Sequence, residues 1–138
     1  MFSDGLRDLP YLVHTNRELG LMLAGKKPLS YFAYLRGTEP RCILRYFRMF
    51  DRHVEKGRFI KKIATRNMAV PKLPYQHFDQ TLFALPGEAW RIDAMVALLA
   101  ERGRWSHDRE RRFGSLLGYE DWQNDLWLSR LPSQPFGI

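Results

Sequence analysis

Between residues 41 and 54 the chain reads RCILRYFRMFDRHV, two interleaved series with opposite demands on solvent. Arg41, Arg45, Arg48 and Arg52 recur at i, i+4, i+7 and i+11, and Ile43, Phe47, Phe50 and Val54 repeat the same spacing two residues on. A helix would place these series on separate faces. A strand would alternate its side chains, with Cys42, Leu44 and Tyr46 on one side and Arg41, Ile43, Arg45 and Phe47 on the other. The flanking sequence favours the strand. LSYFAYLR, 29–36, is aromatic-rich and of similar length, and GTEP between the two runs is turn-like. The expected arrangement is a hairpin with a strand over 41–48, then a short helix from Phe50 to Lys56 that Gly57 ends.

The remaining elements follow from caps and periodicity. HTNRELGLMLAG predicts a helix opened by a capping box of Thr15 and Glu18, with Leu19, Met22 and Leu23 as its apolar stripe and Gly25 as its stop. RFIKKIAT, 58–65, reads as a basic strand near a sheet edge, where lysines discourage further pairing. The two prolines of NMAVPKLPYQ predict a loop, and HFDQTLFAL, 77–85, a further strand. Pro86 opens a helix that runs towards Gly103, with Ile92, Val96 and Leu99 inward. Ser106 caps a helix over 107–117, with Phe113, Leu116 and Leu117 inward. GYEDWQNDLWLSRL gives a last helix, with Glu120 and Asp121 at its positive end and Arg130 near its negative end. The tail PSQPFGI reads as extended and poorly tied down. The order implies an α+β chain: a small antiparallel sheet of three to four strands, packed on one face by N-terminal and C-terminal helices. At 138 residues, 45% hydrophobic and 27% charged, one domain over 1–138 is expected.

Charge is distributed unevenly within that domain. Residues 1–72 hold 15 Lys+Arg against 6 Asp+Glu, and residues 73–138 hold 7 against 9, so a net charge of +7 conceals a strongly basic first half and a mildly acidic second. Such a field favours negatively charged partners. No 18-residue apolar run is present, so no membrane insertion is expected. Asp4 and Asp8 interrupt what a signal peptide would require, and the lone Cys42 has no internal partner, so the cytoplasm is the expected compartment. Cys42 lies in the apolar run CIL, where a small buried hydrophobe is the expected role.

The candidate partner surface is the basic stretch Arg41, Arg45, Arg48, Arg52, Arg58, Lys61, Lys62 and Arg66. Trp122 and Trp127 join it as possible contact residues: five apart on a helix, they point in different directions, and tryptophan is favoured at interfaces. The expected function is a small non-enzymatic adaptor or inhibitor that engages an acidic protein surface. Two alternatives remain open. One is a single-stranded nucleic-acid binder, with Tyr31, Phe32, Tyr34 or Tyr46 stacking on bases beside the cations, although no RNP, KH or zinc-finger pattern occurs. The other is a small hydrolase or nuclease using His53 or His77, the latter two residues from Asp79 on one strand face. The four histidines stand 39, 24 and 30 residues apart, which is not metal-ligand spacing, and no glycine-rich phosphate loop or nucleophile elbow is present. No metal or cofactor is therefore expected.

Overall fold

The computed structural model describes residues 9–70 and 73–132. The start of the chain and the tail after Pro132, which the sequence reads as extended, lie outside the described residues. Five helices and three strands occur among them: α1 (Glu18–Leu23), β1 (Leu29–Leu35), α2 (Arg41–Glu55), β2 (Ile60–Val70), β3 (Leu73–Ala84), α3 (Trp90–Ala100), α4 (His107–Leu116) and α5 (Asp121–Ser129). The strands form one antiparallel sheet in the order β1-β3-β2, so the chain is α+β as its sequence implies. It divides into two compact units, one spanning 29–93 and one built from the chain through Pro28 and from Ala94 onwards.

The first unit corrects the expected hairpin. Residues 41–48 are not a strand; they are the first half of a fifteen-residue helix. The 3.6-residue spacing of the two interleaved series prevails over the turn-like GTEP, because only a helix segregates four phenylalanine- and valine-type side chains from four arginines. Pro40 precedes the helix in an extended conformation and its carbonyl accepts the first bonds, from Ile43 and Leu44. At the other end Gly57 takes φ +74, with Gly57 N–H bonded to Val54 O and Arg58 N–H to His53 O. That pair of bonds is the Schellman pattern, and it requires a residue at ease with positive φ. The strand that pairs with β1 is instead the distant β3, in register from Leu29↔Ala84 to Leu35↔Phe78.

The expected loop over 67–76 is also largely strand. β2 and β3 stay paired to Val70↔Leu73, with an irregularity between Met68 and Val70. Pro74 is tolerated because β1 pairing stops at Phe78. Among the described residues β3 has no second strand neighbour beyond that point, so a missing N–H breaks no ladder bond on that side.

Phe32 and Phe83 share one sheet face, and α2 covers it. Phe50, fully buried, stacks on Phe83 at 4.4 Å between centroids and meets Phe32 edge-on at 5.7 Å. Phe47 reaches Phe32 at 5.3 Å, and Phe59 closes the cluster against Phe50 at 5.7 Å.

In the second unit α1 starts later than expected. Asn16 adopts φ +67, which no continuous helix accepts, so Arg17 rather than Thr15 is the N-cap and no side chain caps it. Leu19 and Met22 are buried but Leu23 is exposed. Ser106 does cap α4, its Oγ accepting from Arg109 N–H. On α5, Glu120 and Gln123 form a capping box. α4 ends in a second Schellman pattern, with Gly118 N–H on Ser115 O and Tyr119 N–H on Gly114 O. Gly118 has φ +101, and a Cβ there would collide with the Pro28 ring. Gly114 lets α5 approach closely, its missing Cβ occupied by the Asn124 side chain. Along α3 the buried positions are Ile92, Met95 and Leu98 rather than Ile92, Val96 and Leu99.

Truncating Phe50 to alanine removes the centre of the aromatic cluster and should destabilise the chain by about 3–5 kcal/mol in urea unfolding. Arg48→Ala on the opposite side of the same helix should shift stability by no more than about 0.5 kcal/mol. The same small limit applies to Thr15→Ala, since its hydroxyl caps nothing.

Candidate functional site

At 3.6 residues per turn, Arg41, Arg45, Arg48 and Arg52 fall within a wedge of roughly 60° on α2, diametrically opposite Phe50. Eleven residue steps of about 1.5 Å make this stripe roughly 16 Å long. All four arginines are exposed, and no hydrogen bond or ion pair engages their side chains among the described residues. The rest of the basic stretch is arranged differently. Lys61 is tied to Asp51 at 2.7 Å and lies 5.6 Å from the Phe83 ring, on the sheet face that α2 covers. Lys62 and Arg66 are on the other face, where Lys62 pairs with Asp93 at 3.0 Å. Arg58 contacts His53 Nδ1 at 3.2 Å. The sequence cluster 41–66 thus separates into one uncommitted arginine stripe and several cations already engaged within the unit.

The stripe is not arranged for helix stability. Arg41/Arg45 and Arg48/Arg52 are i, i+4 pairs and Arg45/Arg48 an i, i+3 pair, so like charges face one another along the helix, each costing about 0.2–0.5 kcal/mol. No acidic residue occupies the first turn, where the helix dipole favours one and where Arg41 stands instead. Two acids flank the far end: Asp51, satisfied by Lys61, and exposed Glu55.

Exposed apolar side chains border the arginines, with Leu44 at 42% and Met49 at 45% exposure. Cys42 is exposed as well, which overturns its expected burial. The cause is the change from strand to helix, which carries position 42 to the flank of the stripe. The aromatic rings expected to stack on bases are placed elsewhere. Phe32 is core, Tyr46 packs on Phe50 at 5.0 Å, and Tyr31 accepts a hydrogen bond from Gln80 at 3.2 Å.

The histidine candidates are not assembled into an acid–base site. Asp79 is held by Arg36, whose Nε and Nη2 each donate at 2.9 Å, and by the Thr65 hydroxyl at 2.9 Å. The Arg36 hydrogen bonds, with Thr65 and the charges of Arg36 and His77 adding to them, hold the Asp79 carboxyl down at about 2. His53 packs against Phe59 at 5.4 Å; desolvation, then Arg58 and Lys56, push its imidazole below the usual value. Among the described residues no three His, Cys, Asp or Glu side chains converge as metal ligands, and no helix is long and apolar enough to cross a membrane.

Trp122 and Trp127 belong to the other unit, and they differ in exposure as their spacing suggests. Trp122 is 49% exposed, edge-on to Tyr11 at 5.5 Å. Trp127 is half-buried and its indole N–H donates to Glu110 at 3.0 Å. The same unit holds a feature that sequence reasoning passes over. Lys27 is only 2% exposed, and its Nζ donates to Leu117 O at 3.1 Å and to His14 Nδ1 at 2.9 Å. It satisfies the C-cap carbonyl of α4, at the negative end of that helix. His14 stacks on Tyr119 at 3.9 Å, and its backbone N–H donates to the Tyr119 hydroxyl at 2.8 Å. In a sequence reading, Lys27 is one of two adjacent lysines before a proline, with nothing to mark it as interior.

No protein-family model matches the chain, and comparison with curated proteins and with solved structures gives no match either.

The Lys27 pair makes stability depend on pH. Burial pushes Lys27 down to about 7, partly countered by the charge of Glu18; burial and then Lys27 push His14 down to about 4. Both are bases that the native state protonates less readily than the unfolded chain, so the unfolded state holds more protons from pH 4 to 6.5 and from 7 to 10.5. Stability should therefore rise with pH across both intervals, and fall on acidification below 6.5. Urea midpoints measured at closely spaced pH values check this, and Lys27→Met should flatten the alkaline rise.

Proposed function

We propose that this chain is a non-enzymatic binding protein whose helix α2 engages an acidic macromolecular surface. The observation that carries the reading is the stripe of four exposed, unpaired arginines in one wedge of a helix whose opposite side is core. Guanidinium groups present planar donor forks to carboxylate or phosphate, and here none is used internally among the described residues. A solvated surface would be better served by alternating signs. The like-charge spacing is disadvantageous unless a partner neutralises it.

The flanks favour a protein over a nucleic acid as that partner. Leu44 and Met49 give the stripe an apolar border, and arginine with methionine is a composition enriched at protein interfaces. A phosphate-tracking surface for single strands would be expected to place rings beside its cations, whereas Phe32 is core and the half-buried Tyr46 packs edge-on against Phe32 and Phe50. The length of the stripe supports the second reading, nucleic-acid backbone binding, since roughly 16 Å of duplex axis carries about ten phosphates.

Heparin retention and its salt dependence test the arginine face directly. Arg45→Ala and Arg48→Ala should each lower the eluting salt concentration, and because they share a wedge the pair should be coupled rather than independent. Arg41→Glu is the sharper variant. It supplies the missing first-turn acid and removes a like-charge pair, so stability should rise by about 0.3–1 kcal/mol while retention falls. Unchanged retention in the Arg45→Ala/Arg48→Ala protein would remove α2 from the interface. Anisotropy titration with a labelled oligonucleotide separates the partners: tight binding at physiological salt, lost in the same pair variant, would replace the protein reading with the nucleic-acid one.

A further inference from the structure

The unit outside 29–93 contains a cavity of about 220 Å³. Tyr11, Phe113, Tyr119 and Trp127 contribute rings to its wall, together with the side chains of Glu110 and Asn124. Among the described residues no lysine, arginine or histidine lines it, and Glu110 is the charged group of the wall. Its partners are neutral: Trp127 Nε1–H donates to one carboxylate oxygen at 3.0 Å and Trp105 Nε1–H to the other at 2.6 Å.

The arginines near Glu110 in sequence are engaged with other acids. Arg109 pairs with Glu101 at 3.6 Å and donates to the carbonyls of Arg102 and Gly103. Arg111 pairs with Asp125, and Arg112 bridges Glu101 and Asp108. No cation engages the Glu110 carboxylate among the described residues. The indoles position this half-buried carboxylate without neutralising it, so its charge is available to whatever enters the cavity.

We propose that this cavity is a binding site for a methylated ammonium group. Aromatic walls attract cations through their ring quadrupoles, and a carboxylate among them adds net charge complementarity. An anion would meet Glu110 and the ring electrons, both repulsive. A neutral apolar ligand would strip the carboxylate of its remaining water without supplying a countercharge. Hard metal ions require six or more oxygens, which a ring-lined wall does not offer. A primary ammonium is a compact, strongly hydrated charge and gives up more water than a methylated one on entering a wall that is largely rings and aliphatic side chains. Methyl groups need contact rather than acceptors. At about 220 Å³ the cavity lies below the roughly 300–1,000 Å³ of drug-sized sites, which suits a head group or a small amine.

The full chain, titrated with tetramethylammonium or choline chloride at constant ionic strength, provides the test. The indole N–H resonances of Trp105 and Trp127 are the readout. Both should shift saturably, with affinity at least about tenfold above that for ammonium chloride and for 3,3-dimethylbutan-1-ol, the uncharged isostere of choline. Glu110→Gln should weaken choline binding by a similar factor. Tyr11→Leu provides a second variant, should the glutamine disturb the indole contacts. Free choline, a trimethyl-lysine peptide and phosphatidylcholine vesicles then identify whether the group comes from a small molecule, a protein side chain or a lipid. Absence of a saturable shift with every one of these probes would overturn the proposal. So would equal affinity for the uncharged isostere, which would define a merely apolar cavity.

Discussion

The stack of Phe50 on Phe83 fixes the rotation of α2, and the outward direction of the four arginines in the proposed interface follows from that rotation. A helix turned by its largest buried ring has no freedom left over which residues face solvent. Phe32 and Phe47 reinforce the choice with edge-on contacts, and Phe59 closes the cluster from the start of β2. The arginines are therefore held outward by the packing of other residues, which leaves their guanidinium groups unconstrained. A rigid backbone with uncommitted charged ends is what a surface for an acidic partner requires. Pre-positioning the stripe on a helix also limits the ordering entropy that a flexible basic segment would lose on binding.

The other unit handles positive charge in the opposite way. Lys27 is withdrawn from water and used as a helix C-cap, where a carbonyl, a neutral imidazole and the negative end of α4 take the place of solvent. Gly118 lets Pro28 approach that same helix end, so two consecutive residues of the chain close on one Schellman turn. Tyr119, the next residue, holds His14 through both its ring and its hydroxyl, and its ring also lines the cavity. One helix terminus thereby organises a buried cation and part of the cavity wall.

What the sequence revealed, and what it concealed, follows from the range of the interactions involved. Signals that act within one turn were legible: Ser106 as a cap and Gly57 as a stop. The α+β class was legible too, as were strands within 29–36, 58–65 and 77–85. The status of 41–48 was not, because its turn-like preface and aromatic content argue for a hairpin while its periodicity argues for a helix, and the deciding contact, Phe50 with Phe83, spans 33 residues. Thr15 and Glu18 have the spacing of a capping box, but Asn16 turns into the left-handed region between them. The pairing that carries β2 and β3 past Pro74 depends on where β1 stops, which no local pattern reveals. Neither Lys27 nor the neutral indole partners of Glu110 carry any local signature, since each is defined by residues far away in the chain.

The arginine stripe and the buried lysine together show why net charge alone is a poor guide to a binding surface. Of the cations in the basic first half, Lys27 is interior, Arg36, Lys61 and Lys62 are paired with carboxylates, and Arg58 rests on an imidazole. Each of these has a structural role that would remain in the absence of any partner. Arg41, Arg45, Arg48 and Arg52 have no such internal partner among the described residues, and their mutual repulsion weakens the helix that carries them. Long-range attraction uses every exposed charge, but short-range binding needs donors that are free and share one direction. By that criterion the proposed binding surface contracts from a 26-residue stretch, 41–66, to one face of a single helix.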